Sequence, residues 1–441
     1  MTIKKNLLEQ ASLFADYCLN EYFFLTDKVS DTMYYYEDGV YHPKAEILIK
    51  ERSEEEFHGS CTNQLVNEII GMIKRRSYND SGLLIDNPEL INVKNGILNI
   101  KTGELSDHTS ELFFTVQLPV KFDPNASCPK IEKFFSEIVA PEDVPLLEEI
   151  VGWTLWRPYD IHKAVMLYGR GRNGKGAFLR LLEEFLGIEN VSHVSLPQLV
   201  GDRFAGIDLV GKAANVYGDL PSKDLSETDV FKNATGSDTF RVQDKFGKAF
   251  DYRNTAKLFF SANQLPKSPD NTDAFYLRWI ILKFPYRFGT PERPINANLD
   301  NELSAEKELS GLLNLALRGL KRIENNGWKF SYRLTLEDVK AMYQRLSDPV
   351  YAFLQDCCEP SDDGEFIKSD LYKYFRAYAA ENGLPPKTLT KFIQTMEDQS
   401  YIPVEPFRPE IDGVQRKSWK GIQLKIVFEP PPAQQLTPAA K

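Results

Sequence analysis

The segment Gly169-Arg170-Gly171-Arg172-Asn173-Gly174-Lys175-Gly176 constrains this chain more than any other. It follows an apolar run, Ala164–Tyr168, and precedes a helical pattern, Ala177–Leu186. Strand, glycine-rich loop and helix in that order are what a phosphate-cradling P-loop requires. Glycines let successive amide N–H groups turn toward phosphate oxygens, and the helix N-terminus adds its positive end. Lys175 is placed to reach the β- and γ-phosphates of ATP. Gly169, Gly171, Asn173, Gly174, Gly176 and Ala177 complete the candidate cofactor-binding set. One position departs from the pattern. Gly176 stands where Ser or Thr usually ligates Mg²⁺, and water can replace that hydroxyl because Mg²⁺ keeps several waters. A glycine turn with a lysine beside it is the plain alternative.

Around this loop the chain alternates short apolar runs with helical patterns. Ala164–Tyr168, Ala213–Tyr217, Lys257–Ser261 and Trp279–Phe284 read as strands of an α/β sheet covered on both faces. Two of them lead to polar residues and one follows an arginine. Ala213–Gly218 ends in Asp219, a candidate metal residue that either holds Mg²⁺ or its water, or polarises the attacking water. Asp224 and Glu227 are possible helpers, and a helix cap is the bland reading. Leu258–Ala262 ends in Asn263, whose amide can both donate and accept toward a γ-phosphate and a water. Arg278, before the last strand, can stabilise transition-state charge in cis or from a neighbouring subunit, unless it is a surface ion-pair residue. Lys175, Asp219, Asn263 and Arg278 are therefore the candidate catalytic set.

At 441 residues the chain is long enough for two or three domains. Residues 1–150 read as a mainly helical domain with hairpins at Met33–His42 and Gly96–Leu105, and helical patterns from Lys130 to Trp156. Residues 151–330 form the ATPase core, closing on one long helix, Glu302–Asn325. Residues 331–428 carry helices at Leu336–Leu346, Val350–Cys357, Ser369–Glu381 and Lys387–Gln399. A β-pair, Gly413–Lys417 with Gly421–Phe428, follows them, which suggests a winged-helix-like domain. Residues 429–441, with three consecutive prolines, read as a disordered tail.

No stretch approaches the roughly 20 apolar residues of a membrane span. The five cysteines are scattered, so neither a disulfide framework nor a zinc site is indicated, and a cytoplasmic setting is expected. A net charge of −10 excludes a protein that coats DNA with its whole surface, but permits one that grips a strand along a local basic stripe. Such a stripe lies between the second and third of these runs. Arg241, Lys245, Lys248, Arg253 and Lys257 outnumber Asp244 and Asp251, with Phe246 and Phe250 interleaved. A hairpin tipped by Gly247-Lys248 would present Arg241, Lys245, Phe246 and Lys248 to single-stranded DNA. A solvated charged hairpin is the alternative. Arg408, Arg416, Lys417, Lys420 and Lys425 form a second excess, suited to duplex DNA or to protein contacts.

Taken together these segments resemble the superfamily 3 helicases, and within them the phage and plasmid primase–helicases, poxvirus-type proteins included. Asn95-Gly96-Ile97-Leu98 and Gly152 resemble the family's N-terminal region, and Gly171–Gly176 its G-x-N-G-K loop. Lys232–Asp238 is similar to its K-x-x-T-G-x-D stretch, Ser261–Pro266 to its S/T-x-N-x-x-P sensor strand, and Glu308–Leu313 to a family helix. Arg278 with Phe284-Pro285 resembles the arginine-finger region, although the usual Ile-Pro-Phe ending reads Lys283-Phe284-Pro285 here. The resemblance implies an AAA+ core, a hexameric ring, ATP sites shared between subunits, a DNA-binding hairpin near Arg241–Lys248, and 3′ to 5′ movement along single-stranded or forked DNA. Family members often carry a primase domain ahead of the helicase. The front segment offers no convincing pair of metal-binding carboxylates, so priming is expected on another chain, a polymerase or primase partner, or in a missing N-terminal domain. Two rivals remain: an ATP-switched initiator or loader without processive unwinding, which Gly176 and the single Asp219 keep open, and a small-molecule P-loop phosphotransferase.

Overall fold

The computed structural model describes the chain except residues 1, 29, 80–86, 170, 222, 246–248, 383, 385, 400, 412 and 426–441. The tail expected at 429–441 and the hairpin residues Phe246 and Lys248 lie outside the described residues. The architecture is mixed α/β.

Its centre is a five-stranded parallel sheet: β1 (Ala164–Tyr168), β2 (Val191–Ser192), β3 (Ala214–Tyr217), β4 (Lys257–Ala262) and β5 (Trp279–Lys283). The spatial order is β5-β1-β4-β3-β2. β4 pairs with β1 in the register Ala262↔Tyr168, and with β3 in the register Tyr217↔Phe260. Every residue of β4 is buried, which is why these strands read as continuous apolar runs rather than alternating ones. The helix Lys175–Leu186 covers one face with Phe178, Leu182 and Phe185. Phe231, Phe275 and Tyr343 pack under the other. Each large apolar side chain enclosed this way contributes about 1.5–3 kcal/mol.

The boundary expected at residue 150 falls inside a helix, Val144–Trp153, and the core runs straight across it. That helix packs against Glu306–Asn325 at backbone distance. A Cβ on Gly152 would lie 2.3 Å from the Ala316 carbonyl oxygen, and one on Gly319 2.4 Å from that of Glu148. Buried Glu149 locks the pair by accepting bonds from Arg322 Nε and from Ser331 N and Oγ, each at 2.7 Å. The helical patterns expected from Lys130 to Trp156 are two helices, Pro129–Ile138 and Val144–Trp153, with Pro141 in the break between them. Likewise Glu302–Asn325 divides into Leu299–Leu303 and Glu306–Asn325.

Ahead of this core, helices Thr2–Glu21, Ala45–Phe57 and Asn63–Arg76 enclose a separate apolar cluster beside a four-stranded sheet. The hairpin expected at Met33–His42 is present, with Glu37↔Val40 flanking its turn. Behind the core the order is helix Pro349–Cys357, strand Cys358–Ile367, helices Lys368–Glu381 and Leu389–Asp398, then strands Glu405–Phe407 and Ser418–Leu424. Among the described residues the expected pairing of 413–417 with 421–428 is not formed, and residues 426–428 of that expectation lie outside them. Val414–Gln415 instead turns back on Glu410–Ile411, while Ser418–Leu424 pairs with Glu405–Phe407 and with Cys358–Ile367, a strand the sequence reading missed. Its run of Pro, Ser, Asp and Gly hides a strand broken by a bulge between Ser361 and Glu365. Among the described residues no helix is long and apolar enough to cross a membrane.

Candidate nucleotide cleft

A parallel sheet puts all its strand C-termini at one edge, which is where ligands of such sheets sit. Here β1, β3 and β4 deliver the glycine loop, Asp219 and Asn263 to that edge. They line one cleft of about 1110 Å³, together with the helix Pro129–Ile138 and the segment 288–303.

The loop is held from below and behind. Gly174 has φ 92°, and a Cβ there would lie 2.5 Å from Ile138 Cγ2; Gly169 has φ 153°, with the Phe284 carbonyl oxygen 2.5 Å from any Cβ. Only glycine fits both constraints at each position. Asn173 is buried and turns inward: its Nδ2 donates to the Phe284 carbonyl at 3.2 Å, and its Oδ1 accepts from Lys175 Nζ at 3.2 Å. Its side chain therefore braces the loop. The chain after β5 straps the loop from outside, where Phe288 N donates to the Arg172 carbonyl at 2.7 Å.

Lys175 opens the helix with its ammonium folded over the loop. Nζ donates to the Gly169 carbonyl at 2.6 Å and to Asn263 Oδ1 at 3.2 Å. Burial lowers its pKa, and the carboxylate of Asp219 opposes that shift. Asp219 and Asn263 are exposed at the cleft, as a pair that meets a ligand must be. Gly176 faces the cleft too, and a Cβ there would meet only the Arg180 guanidinium, at 3.3 Å. A loop hydroxyl is thus absent by sequence, not for want of space.

Basic side chains that no motif announced complete the walls: Lys130 and Lys133 from the preceding helix, Arg180 from the loop helix, and Arg293 from the strap. Arg180 is held by Asp300 through two bonds of 3.1 Å. These residues are scattered over more than 160 positions, and no local pattern links them.

Three of the four candidate catalytic residues come together. Arg278 does not join them. It precedes β5, so it lies at the sheet edge opposite the loop, where Nε donates to the Lys232 carbonyl at 3.3 Å and Nη1 to that of Ala274 at 2.5 Å. Burial lowers its pKa, with Asp238 and Asp270 opposing. It packs against the segment Lys232–Asp238, so two of the recognisable motifs form a second cluster away from the cleft. A role for Arg278 in its own chain's cleft is excluded by this placement.

The basic stripe is a hairpin, Thr239–Val242 paired with Phe250–Arg253, with Arg241 opposite Asp251. Arg241, Lys245 and Arg253 are exposed. Lys257 is not part of it. As the first residue of β4 it is fully buried, its ammonium donating to the carbonyls of Pro158 at 2.7 Å and Arg157 at 3.2 Å, over the rings of Tyr159 and Trp153. Lys257 is therefore a strand-bound group and not, as its sequence position beside them suggests, one of the hairpin's surface charges.

Comparison with known proteins gives three family matches in succession. Residues 11–140 match the "D5 N terminal like" family, residues 345–420 the "Poxvirus D5 protein-like" family, and residues 167–278 a family of unknown function (DUF5906). The chain is 24% identical over 360 residues to "Putative helicase 121R" of Invertebrate iridescent virus 3, a match that takes in 70% of this chain and 37% of the relative. The chain thus spans little more than a third of that relative's length. Among solved structures it is similar to apo forms of the NrS-1 C terminal region. One has a TM-score of 0.46 at 11% identity, covering 92% of this chain and 98% of that one; another has 0.44 at 12%, covering 90% and 96%. With a D5-like segment at each end and a helicase-named viral relative across most of its length, the chain is similar to poxvirus D5-type proteins.

Proposed function

We propose that the chain is an ATP-hydrolysing DNA helicase motor with an AAA+ core of the superfamily 3 type, acting as a hexameric ring on single-stranded or forked DNA. One observation carries this reading: the ends of β1, β3 and β4 set Lys175, Asp219 and Asn263 around a single cleft behind a glycine loop. The loop amides and Lys175 would bind the phosphates, the ammonium exchanging the Gly169 carbonyl for a phosphate oxygen. Asn263 would orient the γ-phosphate and the attacking water. Asp219 would hold a metal-bound water or polarise the attacking one. Mg²⁺ would offset charge building on the phosphates. The nucleotide would carry the cation into the cleft, with Asp219 as the carboxylate at the strand end that meets it or its water.

Arg278, remote from its own cleft, suits a finger offered to a neighbouring subunit's nucleotide. Arg241 and Lys245, with Phe246 and Lys248, would meet DNA in the ring channel. The C-terminal order of helix, strand, two helices and two strands linked by a small hairpin fits a winged helix, for duplex DNA or a protein partner. A primase or polymerase activity would come from another chain or another domain.

Gly176 favours one competing reading, in which ATP binding switches an initiator or loader without turnover. ATP hydrolysis measured with and without single-stranded DNA, alongside forked-duplex unwinding, separates them. The motor reading expects DNA-stimulated turnover that Lys175→Ala abolishes. Nucleotide binding with no turnover would overturn it in favour of the switch.

A further inference from the structure

Asp219 occupies left-handed backbone, with φ 50°. Few non-glycine residues adopt this conformation, and Asp does so where local hydrogen bonds hold it. One residue does most of this holding. The Asp219 N–H donates to Ser261 Oγ at 3.1 Å, and the Leu220 N–H donates to the Ser261 carbonyl at 2.8 Å. Ser261 is the fifth residue of β4, is 3% exposed, and is paired in register with Leu167 of β1. Its pairing with Leu167 fixes it on the β1 side, and β3 pairs with the preceding residue, Phe260. Among the described residues lining the cleft it carries the only side-chain hydroxyl, the loop having Gly176 where a second would stand.

We propose that Ser261 is a positioning residue for hydrolysis: its hydroxyl and carbonyl clamp the peptide of Asp219 and so aim that carboxylate into the cleft. The proposal rests on the nucleotide-hydrolase reading of the cleft. The geometry makes the sensor strand, which ends in Asn263, also the support of the acid on the next strand. Displacing β4 would therefore move Asn263 and Asp219 together. Without the hydroxyl, the Asp219 N–H loses its acceptor and the peptide is free to relax toward negative φ, turning the carboxylate away. A misplacement of about 1 Å in a reacting group can cost on the order of 100-fold in rate.

The test compares Ser261→Ala, Ser261→Thr, Asp219→Ala and the double variant Ser261→Ala/Asp219→Ala in the full chain. Two quantities are read: steady-state ATP hydrolysis, and binding of a fluorescent ATP analogue in Mg²⁺ and in EDTA. Ser261→Ala is expected to lower kcat by roughly 10- to 100-fold with KM changed less than about threefold. It should also lose the Mg²⁺-dependent gain in analogue affinity, as Asp219→Ala does, while binding in EDTA stays at the wild-type level. Ser261→Thr should restore both, and the double variant should be no worse than Asp219→Ala alone. Wild-type kcat and Mg²⁺ dependence in Ser261→Ala, or additive losses in the double variant, would overturn the proposal. If alanine prevents folding, Ser261→Cys keeps the size with a weak acceptor and carries the same comparison. A wild-type chain that binds no analogue, or an Asp219→Ala variant with full turnover, would instead sink the underlying reading of the cleft.

Discussion

The Lys175 ammonium and the Asn263 amide oxygen lie 3.2 Å apart, joining the loop after β1 to the end of β4. With the Gly169 carbonyl and Asn173 Oδ1, Asn263 satisfies all three donors of a cation that has no carboxylate in bonding distance among the described residues. Phosphate entry must break some of these bonds, so the lysine and the sensor amide respond to the same event.

Asn263→Ala is accordingly expected to lower kcat for ATP by about 100-fold, the usual loss when a preorganised polar group is removed from a reacting centre. Nucleotide affinity should change little, because Lys175 keeps two of its three acceptors. Steady-state kinetics alongside equilibrium binding checks this. A variant that loses binding as severely as turnover would show that Asn263 builds the loop rather than serving the reaction.

Gly174→Ala should destabilise the fold as well as the site. Its φ of 92° disfavours any side chain, and the new methyl would press Ile138 Cγ2 at 2.5 Å. A loss of about 1–3 kcal/mol in urea unfolding is expected. The larger Gly171→Ala comparison is informative, because no heavy atom lies within 4 Å of a Cβ there; that variant should keep full stability.

Lys257 makes stability depend on alkaline pH. Burial holds its pKa well below the usual lysine value, with Asp160 opposing the shift. Between that depressed value and the unfolded value near ~10.4, the unfolded chain binds more protons than the folded one. Stability contributed by this group is therefore present above the unfolded pKa and is lost as pH falls through the window toward the folded pKa. Lys257→Met should flatten this slope and be neutral or stabilising near neutral pH, since it replaces a buried cation that has no anionic partner in contact. Chemical denaturation of both proteins from pH 7 to 10 reads the difference.

Arg241→Ala should weaken single-stranded DNA binding and reduce the slope of log affinity against log salt by about one. DNA-independent ATP hydrolysis should stay unchanged, because Arg241 sits on the hairpin and not among the cleft residues. Fluorescence anisotropy across a salt series tests it, and an unaltered slope would remove the hairpin from the DNA path.

What could be read from the chain without its structure was local. Four strands of the central sheet stand within a residue or so of where their apolar runs placed them, and the loop between Tyr168 and Lys175 follows from glycines and a lysine in a fixed order. Residue type and spacing carry such features because each depends on neighbours a few positions away. The strand order β5-β1-β4-β3-β2 is another matter. It brings Asp219 and Asn263 beside Lys175 and sends Arg278 to the far edge, and it arises from pairings between segments up to about a hundred residues apart. The same long-range packing buries Lys257, turns Asn173 inward and leaves Ser261 gripping Asp219. No periodicity records those outcomes, because they are set by which surfaces meet once the sheet has formed.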